Sequence, residues 1–502
     1  MKIRALLFLA LALDLGTDIA SAAADSLAGK RPNIIVVMTD DQGYGDLACH
    51  GNPFIQTPHL DAFHKQSVRF TDFHVSPTCA PTRSALMTGR HEFKNGVTHT
   101  INERERLTLK ATTIAQVLKG AGYTTGIFGK WHLGDEAEYQ PNQRGFDEVF
   151  IHGAGGIGQT YAGSCGDAPG NKYFDPALLH NGKFEKTKGY CTDLFFAQAT
   201  KWMAAARQGD KPFFTYIAPN APHGPLDCPP DYEAKYTGKV PPDVAKFYGM
   251  IQNIDDNFGR LLATLGEWGL ERDTLVIFMT DNGGTAGVQT FNAGMRGAKG
   301  TPYNGGTRVP AFWRWPAAFA GGVDCAALTA HLDLFPTFAE LAGVKLSAEL
   351  LKQVEGRSLA PLLRDAHAPW ADRVLFAHVG RWDKGKAGAS KYATVSARST
   401  RYQLVNSGHA EKWELFDLQA DPGEKLNLIE REPAVARELK AAIDKWWVEL
   451  TPLLVNEDAV GPKVNPFKEL YWKQFGGGPD EQLRKIMDGT ATPQPAKKKK
   501  QE

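Results

Sequence analysis

The sequence predicts an α/β fold: a large, mostly parallel sheet sandwiched by helices, followed by a smaller α+β domain built on an antiparallel sheet. Apolar, β-branched runs alternate with helical patterns through the first two thirds of the 502 residues, and this alternation is typical of βαβ units. After about Leu363, short strand-like runs follow one another closely with turn residues between them. Closely spaced strands favour an antiparallel sheet.

Four apolar runs are the predicted strands of the large sheet. They are residues 33–39 (NIIVVMT), 124–128, 213–218 (FFTYIA) and 274–280 (TLVIFMT). A continuous apolar run, without polar alternation, suits a strand covered on both faces, as in a parallel sheet.

The segments between these runs have helical patterns. Thr57-Pro58 opens a helix that carries Leu60, Phe63 and Val68, because Thr is a capping residue and Pro suits the first helical turn. Residues 112–119 are helical and stop at Gly120-Ala121-Gly122. Apolar residues at helical spacing predict two further helices, at 246–265 and 333–342.

The C-terminal part has a different pattern. Its predicted strands are residues 374–378, 392–396, 402–405 and 413–418, followed by a helix over 433–450. We therefore expect a large α/β domain at 31–365, which will be called the catalytic domain once its candidate site is described, and a C-terminal subdomain at 366–475. From Gly476 onward the chain is rich in Gly and Pro and ends in four lysines before Gln501, which predicts a disordered Lys-rich tail at 476–502.

Residues 1–22 have the pattern of a secretory signal peptide. Lys2 and Arg4 precede a short apolar run, and Ala20-Ser21-Ala22 fits a cleavage site. No later run reaches the roughly 18 apolar residues that a membrane span needs, so we expect no stable membrane insertion. A secreted or periplasmic protein, in a bacterium, is the favoured interpretation. The formal net charge of +1 gives no basic footprint for nucleic acid.

Polar clusters follow the predicted strands. Asp40 and Asp41 end the first strand, Asp281 and Asn282 end the last, and His223 follows the strand at 213–218. Ligand sites of open α/β sheets form beyond the carboxyl ends of strands. Carboxylate and amide oxygens suit Ca²⁺, with Mg²⁺ as the alternative. Each residue by itself could also be an ordinary cap or turn residue.

The stretch Cys79-Ala80-Pro81-Thr82-Arg83 is the most specific feature. Pro81 suits the first turn of a helix, which would place Cys79 at a helix N-terminus, where the dipole favours an anion. Arg83, about one turn on, can reach back toward the same point. The pattern indicates an activated thiol; the alternative is a small buried hydrophobic residue.

Together these motifs resemble the type I sulfatases of the alkaline phosphatase-like superfamily. The signature C-x-P-x-R at Cys79, followed by T-G-R at 88–90, carries the resemblance. Similar stretches extend it from about Pro32 to the region of residue 450: 40–46 (DDQGYGD), 129–134 (GKWHLG), 221–223 (APH), 281–284 (DNGG) and 300–310 after Lys299. Thr82 replaces the family's usual serine, and Met87 its usual leucine.

The resemblance implies that Cys79 is oxidised to formylglycine (3-oxoalanine) by a formylglycine-generating or an anaerobic maturation enzyme. One hydroxyl of the hydrated aldehyde would attack sulfur, held by Ca²⁺ and Arg83 and deprotonated with help from Asp281. The modified Cys79 would then join Asp40, Asp41, Asp281 and Asn282 as a metal ligand.

The family pattern also implies roles for five basic residues. His223 or Lys299 would give a proton to the leaving alcohol, and His132 would deprotonate the second hydroxyl to expel sulfate. Lys130 would bind sulfate oxygens, as would His223 and Lys299, and His152 would make a further substrate contact. Lys130 and His132 flank Trp131, so an extended segment would turn both to one side.

The predicted function is hydrolysis of sulfate monoesters on a sulfated carbohydrate or an aryl sulfate. One alternative is a phosphomonoester or phosphodiester hydrolase of the same superfamily. The other is a non-catalytic protein that binds sulfated glycans, with Cys79 unmodified. Trp382 and the insertion at 154–191 are candidates for shaping the pocket, and Cys165 and Cys191 could pair in an oxidising compartment.

Overall fold

The computed structural model describes residues 26–161, 163–488 and 490. The predicted signal peptide and the lysines at the C-terminal end lie outside these residues. Two sheets organise the described chain: a ten-stranded, mostly parallel sheet and a four-stranded antiparallel sheet. Both parts of the predicted fold class are confirmed.

Sixteen strands are assigned within the described residues. They are β1 Asn33–Thr39, β2 Val68–Phe70, β3 Phe73–His74, β4 Thr124–Lys130, β5 Glu148–His152, β6 Ala177–His180, β7 Lys183–Lys186, β8 Phe213–Ala218, β9 Thr274–Thr280, β10 Ala311–Arg314, β11 Val323–Cys325, β12 Thr329–Ala330, β13 Leu375–His378, β14 Val395–Arg398, β15 Tyr402–Asn406 and β16 Trp413–Asp417.

Thirteen α-helices are assigned within the same residues. They are α1 Pro58–Lys65, α2 Cys79–Thr88, α3 Ile114–Gly120, α4 Cys191–Ala206, α5 Pro230–Glu233, α6 Pro242–Glu267, α7 Asn304–Thr307, α8 Leu334–Leu341, α9 Ala348–Gln353, α10 Ala360–Arg364, α11 Pro433–Leu450, α12 Pro466–Phe475 and α13 Glu481–Met487.

The four predicted buried strands lie side by side in the large sheet. The strand order is β11-β2-β10-β9-β1-β8-β4-β5-β6-β7, and β9, β1, β8, β4 and β5 run parallel. Thr39 of β1 pairs with Thr280 of β9. The residues that follow these two threonines therefore leave the sheet at the same edge.

Helices cover both faces of this sheet, as predicted. Along β1, Ile34 and Val36 pack into one core with residues of α2, α3 and α8. Ile35 and Val37 pack into a second core with residues of α1, α4 and α6. Burial of alternate side chains on opposite faces explains why residues 34–38 are all apolar.

The four-stranded sheet has the order β13-β14-β15-β16, with antiparallel pairs throughout. Helix α11 packs on it through a core that includes Trp446 and Trp447. Phe93, from the large α/β domain, joins the same core. The C-terminal subdomain is therefore packed directly against the first domain.

Three details differ from the expectations. Val68 lies in β2 and not in the first helix, because α1 ends at Lys65 and the chain turns to pair with β10. Helix α13 lies within the segment expected to be a disordered tail. Cys165 and Cys191 are unpaired: the first thiol donates to the carbonyl of Thr100 and the second to the side chain of Asn220.

None of the helices among the described residues is both long enough and apolar enough to cross a bilayer.

Candidate active site

The acidic cluster forms where β1 and β9 end. The backbone N–H of Asp41 donates to Oδ1 of Asp281 at 3.1 Å, and Nδ2 of Asn282 donates to Oδ1 of Asp41 at 3.0 Å. Asp40, Asp41, Asp281 and Asn282 are all buried. The adjacent parallel strands thus bring together the four residues that the sequence predicts as metal ligands.

The donor atoms of this cluster fit a hard divalent cation. Oδ1 of Asp40 and Oδ1 of Asn282 are buried and have no hydrogen-bond partner among the described residues. Burial raises the pKa of Asp40 and of Asp281 to about 6, and neighbouring carboxylates add to the rise. A cation would relieve this repulsion and satisfy the two oxygens. An all-oxygen set of this kind suits Ca²⁺ or Mg²⁺.

Cys79 is the first residue of α2, as the position of Pro81 predicts. Its exposed fraction is 2%, and it forms part of the floor of an open pocket. Burial would raise the pKa of the thiol, but the ammonium groups of Lys130 and Lys299 outweigh burial and lower it. The position therefore favours a negatively charged group, as expected for a helix N-terminus between cations.

Three cationic side chains connect Cys79 to the acidic cluster. Arg83 donates to Oδ2 of Asp281 at 2.8 Å and lies 3.6 Å from Oδ2 of Asp40. Lys130 Nζ contacts Oδ2 of Asp40 at 2.5 Å, and Lys299 pairs with Asp41. Burial opposes the charge of Lys299, but Asp41 and the other anions outweigh it and raise its pKa.

His132 presents one free ring nitrogen beside this group. Its Nε2 bonds the carbonyl of Thr100 at 2.7 Å, which makes Nε2 the protonated nitrogen. Nδ1 is buried without a partner among the described residues. Burial, with Lys130, holds the pKa of His132 well below its usual range. Trp131 packs into the core instead, so Lys130 and His132 are both left at the site.

His223 is another histidine that lines the pocket. Its Nδ1 bonds the carbonyl of Gly224 at 2.7 Å, and Nε2 lies 3.7 Å from Oδ2 of Asp41. Burial lowers the pKa of His223, although Asp41 works in the opposite direction. The ring lines the pocket together with Cys79 and Lys299.

His152 lies beside the site but is not among the residues that line the pocket. In the parallel register of β4 and β5 it pairs with Lys130, so it is adjacent to the site. Its ring is fully buried and bonds the carbonyl of Gly153, and it is absent from the residues that line the pocket. The arrangement therefore does not support the expected direct contact with substrate.

The sequence profile of the Sulfatase family matches residues 32–344. The chain belongs to the sulfatase family. A second profile, described as N-sulphoglucosamine sulphohydrolase, C-terminal, matches residues 298–449. The resemblance carried by the C-x-P-x-R motif is thereby confirmed, and this protein is a sulfatase.

Known sulfatases match along most of their length. Arylsulfatase A of Homo sapiens is 33% identical over 450 residues, which cover 81% of this chain and 85% of the relative. N-acetylgalactosamine-6-sulfatase of Rattus norvegicus is 29% identical, covering 80% and 82%. The crystal structure of Ps i-CgsB in complex with k-i-k-neocarrahexaose matches with a TM-score of 0.76 and 28% identity, covering 88% of this chain and 97% of that one.

The sulfatase pocket has a volume of about 920 Å³. Trp382 and three residues of the predicted insertion, Gly155, Gln159 and Tyr161, contribute to its lining. Sequence reasoning missed the loop 99–104 and Arg381, which also line it. Neither contains a motif, and only the folded chain brings them beside Cys79.

Proposed function

We propose that this sulfatase hydrolyses sulfate monoesters of an oligosaccharide after Cys79 has been converted to formylglycine, with Ca²⁺ as the preferred divalent cation. The position of Cys79 carries the proposal. It lies at a buried helix N-terminus on the floor of a wide pocket, between a cluster of unsatisfied oxygens and three cationic side chains. Sulfate transfer needs this combination, because a nucleophile must approach an anionic centre.

Two groups would complete the site. A divalent cation, when bound, would offset charge on the sulfate oxygens, and Asp40, Asp41, Asp281 and Asn282 would hold it. Formylglycine at position 79, when formed, would supply a hydrated aldehyde as the nucleophile. The cation fits the residues present, since Oδ1 of Asp40 and Oδ1 of Asn282 are buried and have no hydrogen-bond partner among the described residues. Formylglycine fits position 79, which lies at a helix N-terminus and lines the pocket.

Arg83 and Lys130 would bind and orient the sulfate group. Both are held by the buried carboxylates of Asp40 and Asp281, so their charges are fixed before substrate arrives. A site that is already oriented stabilises developing charge without the cost of rearranging solvent. Three aspartates and the three cations balance in charge, which makes such a cluster tolerable inside the protein.

His223 and Lys299 are the candidates that protonate the leaving alcohol. His223 presents Nε2 to the pocket, and Lys299 remains an ammonium group beside Asp41. His132 would act as the base that regenerates the aldehyde, because its free Nδ1 is an acceptor and its low pKa keeps it neutral. General acid and base catalysis of this kind contributes about 10²- to 10⁴-fold each.

The size of the pocket favours a sugar substrate over a small aryl sulfate. Its volume of about 920 Å³ lies near the upper end of ordinary ligand sites. Ps i-CgsB, whose structure holds a neocarrahexaose, and the rat N-acetylgalactosamine-6-sulfatase point in the same direction. Trp382 lines the pocket beside the charged residues Arg381 and Lys384, although its ring packs into the C-terminal core and only 5% of the residue is exposed.

Peptide mass spectrometry combined with activity assays tests the proposal. The chain, coexpressed with a maturation enzyme, should carry formylglycine at position 79 and release sulfate from sulfated oligosaccharides and from an aryl sulfate. Cys79→Ala should abolish turnover while leaving the melting temperature nearly unchanged. The matched control Cys325→Ala, at another buried cysteine outside the pocket, should remain active.

Two results would count against this function. An intact thiol at position 79 in an active preparation would exclude the formylglycine mechanism. A fully modified protein that prefers an aryl phosphate to the matching aryl sulfate would favour the phosphoester alternative.

We also propose that residues 1–22 direct export and are removed. The charged start, the short apolar run and the small residues before position 23 support this proposal. N-terminal sequencing of the protein secreted by a bacterial host should begin near Ala23. A mature protein that still begins at Met1 would contradict it.

A further inference from the structure

A second group of metal-binding side chains lies outside the sulfatase site. Cys49 and His50 belong to a single turn of 3₁₀-helix, Ala48–His50, which follows the acidic loop after β1. His64 belongs to the last turn of α1. One ligand atom from each of the three residues lies within 4.8 Å of the other two.

The orientation of His50 leaves one nitrogen free for a ligand. Its Nδ1 bonds the carbonyl of Tyr44 at 2.7 Å, and its ring stacks on that of Tyr44 with centroids 3.8 Å apart. Nε2 is then the nitrogen with an available lone pair. A backbone carbonyl on the far nitrogen is the usual support of a metal-binding histidine.

The three side chains line an open cavity of about 370 Å³. The cavity leaves room for an ion to enter and for a water molecule to complete its coordination. A tetrahedral ion holds sulfur and nitrogen donors roughly 3.5 Å apart, so small side-chain rotations would bring the three atoms to the required separation.

Charged neighbours leave the site close to neutral. Asp61 accepts from the backbone N–H of Cys49 at 3.0 Å, and Asp324 pairs with Arg69 at 2.5 Å. Arg308 lies over the ring of Tyr44 at 4.3 Å. Two carboxylates thus offset two guanidinium groups, and a cation meets no net repulsion.

We propose that Cys49, His50 and His64 form a second metal site that binds Zn²⁺. One thiolate and two imidazoles are ligands for a borderline-soft transition metal and not for Ca²⁺. Three protein ligands leave a fourth position for water. The bound ion would link the loop that carries Asp40 and Asp41 to helix α1.

Binding at this site involves loss of one proton. The Cys49 thiol transfers its proton to solvent as the bond from Sγ to Zn²⁺ forms, with no change of oxidation state. Burial raises the pKa of this thiol, with Asp61 adding to the rise, so the free protein keeps the proton. Burial also lowers the pKa of His50 to about 3 and lowers that of His64, so both rings are neutral ligands.

Equilibrium dialysis against Zn²⁺, with the metal measured by mass spectrometry, tests the site. The experiment uses the Cys79→Ala variant in excess Ca²⁺, so that neither the pocket thiol nor the acidic cluster competes. This parent should bind about one Zn²⁺ per chain and release about one proton. Cys49→Ser and His64→Gln should each weaken binding at least about tenfold, and Cys49→Ser should also lose the proton release.

A matched control and a spectroscopic readout complete the test. Cys228→Ser, at a buried cysteine that does not line this cavity, should bind Zn²⁺ like the parent. Co²⁺ should give thiolate-to-metal charge-transfer absorption in the parent and none in Cys49→Ser. If Cys49→Ser fails to fold, the binding measurement on His64→Gln, which changes a half-buried ring, tests the proposal instead. The proposal would be overturned if Cys49→Ser and His64→Gln bound Zn²⁺ as tightly as the parent, or if the parent bound none. Either result would hold whatever the enzyme's activity.

Discussion

His132 adopts a backbone conformation that is uncommon for a residue with a side chain, with φ of 59°. Such conformations cost free energy and occur where the surrounding structure requires them, often at functional sites. Here the left-handed turn directly after β4 lets Trp131 enter the core while His132 bonds the carbonyl of Thr100. The uncommon conformation therefore keeps His132 in the lining of the pocket while the preceding Trp131 is buried.

Replacement of His132 by Ala should lower kcat by about 10²- to 10⁴-fold, the usual contribution of a general base. KM should change little, because Arg83 and Lys130, the residues proposed to bind the sulfate group, are unchanged. Steady-state kinetics on an aryl sulfate measures both constants. Because burial keeps the pKa of His132 well below its usual range, mild acid should not inactivate the parent by protonating this ring.

His180→Gln is the control, since this histidine lies on β6 with Glu148 and Glu185 and outside the pocket. Its kcat should equal that of the parent. A His132→Ala enzyme with parental kcat would exclude the proposed role, even if its melting temperature had fallen through loss of the bond to Thr100.

At the scale of elements, the sequence predicts the position of residues that directly follow a strand. Asp40 and Asp281 lie near each other because each follows an apolar strand, and adjacent parallel strands end at one edge of the sheet. His152 shows the limit: it ends β5, but its side chain turns into the protein and not into the pocket. The loop 99–104 has no regular pattern, so its place beside Cys79 depends on tertiary packing alone.

Strand β4 approaches β8 so closely that Gly129 is required. Its φ is 122°, and a Cβ atom there would lie 2.1 Å from the carbonyl oxygen of Ala218. Gly129→Ala should therefore lower the free energy of unfolding by about 2–5 kcal/mol, through backbone strain and overpacking. Activity should fall as well, since Lys130 is the next residue.

Urea unfolding measures the free energy of unfolding of Gly129→Ala, with Gly120→Ala as the control. A Cβ atom on Gly120 would meet nothing within 4 Å, and its φ is not positive. Ala at this position should change stability by no more than about 1 kcal/mol. Similar losses in the two variants would mean that the close approach of β4 and β8 has little energetic weight.

At the scale of the whole molecule, buried charge pairs join the two sheets. Arg398 of β14 pairs with Asp72, which lies between β2 and β3, and donates to Asn304 at 3.1 Å. Arg373 pairs with the buried Asp333 at 2.5 Å. The pocket takes Trp382 and Arg381 from the C-terminal subdomain and Cys79 from the catalytic domain. The predicted boundary near 365 therefore separates two patterns of sequence but not two independent functional units.

Asp72→Ala should destabilise the whole chain, and not the C-terminal subdomain alone. Removal of the carboxylate, whose exposed fraction is 18%, leaves the guanidinium of Arg398 buried with 8% exposed. Loss of one partner of a largely buried pair should cost about 2–4 kcal/mol. Both sheets should still unfold in one transition, because the Arg398 contact, the Phe93 core and the Arg373 pair connect them.

The stability that Asp72 contributes should change with pH in one direction. Burial would raise the pKa of Asp72, but Arg398 and His74 outweigh burial and lower it. A lowered pKa gives stability that is complete above the ordinary value of about 3.9 and is lost as pH falls toward the folded value. In urea titrations the difference in free energy of unfolding between the parent and Asp72→Ala should be constant near neutral pH. This difference should become smaller below about pH 4. Asp210→Ala, at an exposed aspartate, should have the same free energy of unfolding as the parent at every pH. A difference between the parent and Asp72→Ala that grew in acid, or two separate unfolding transitions, would contradict the role of this pair.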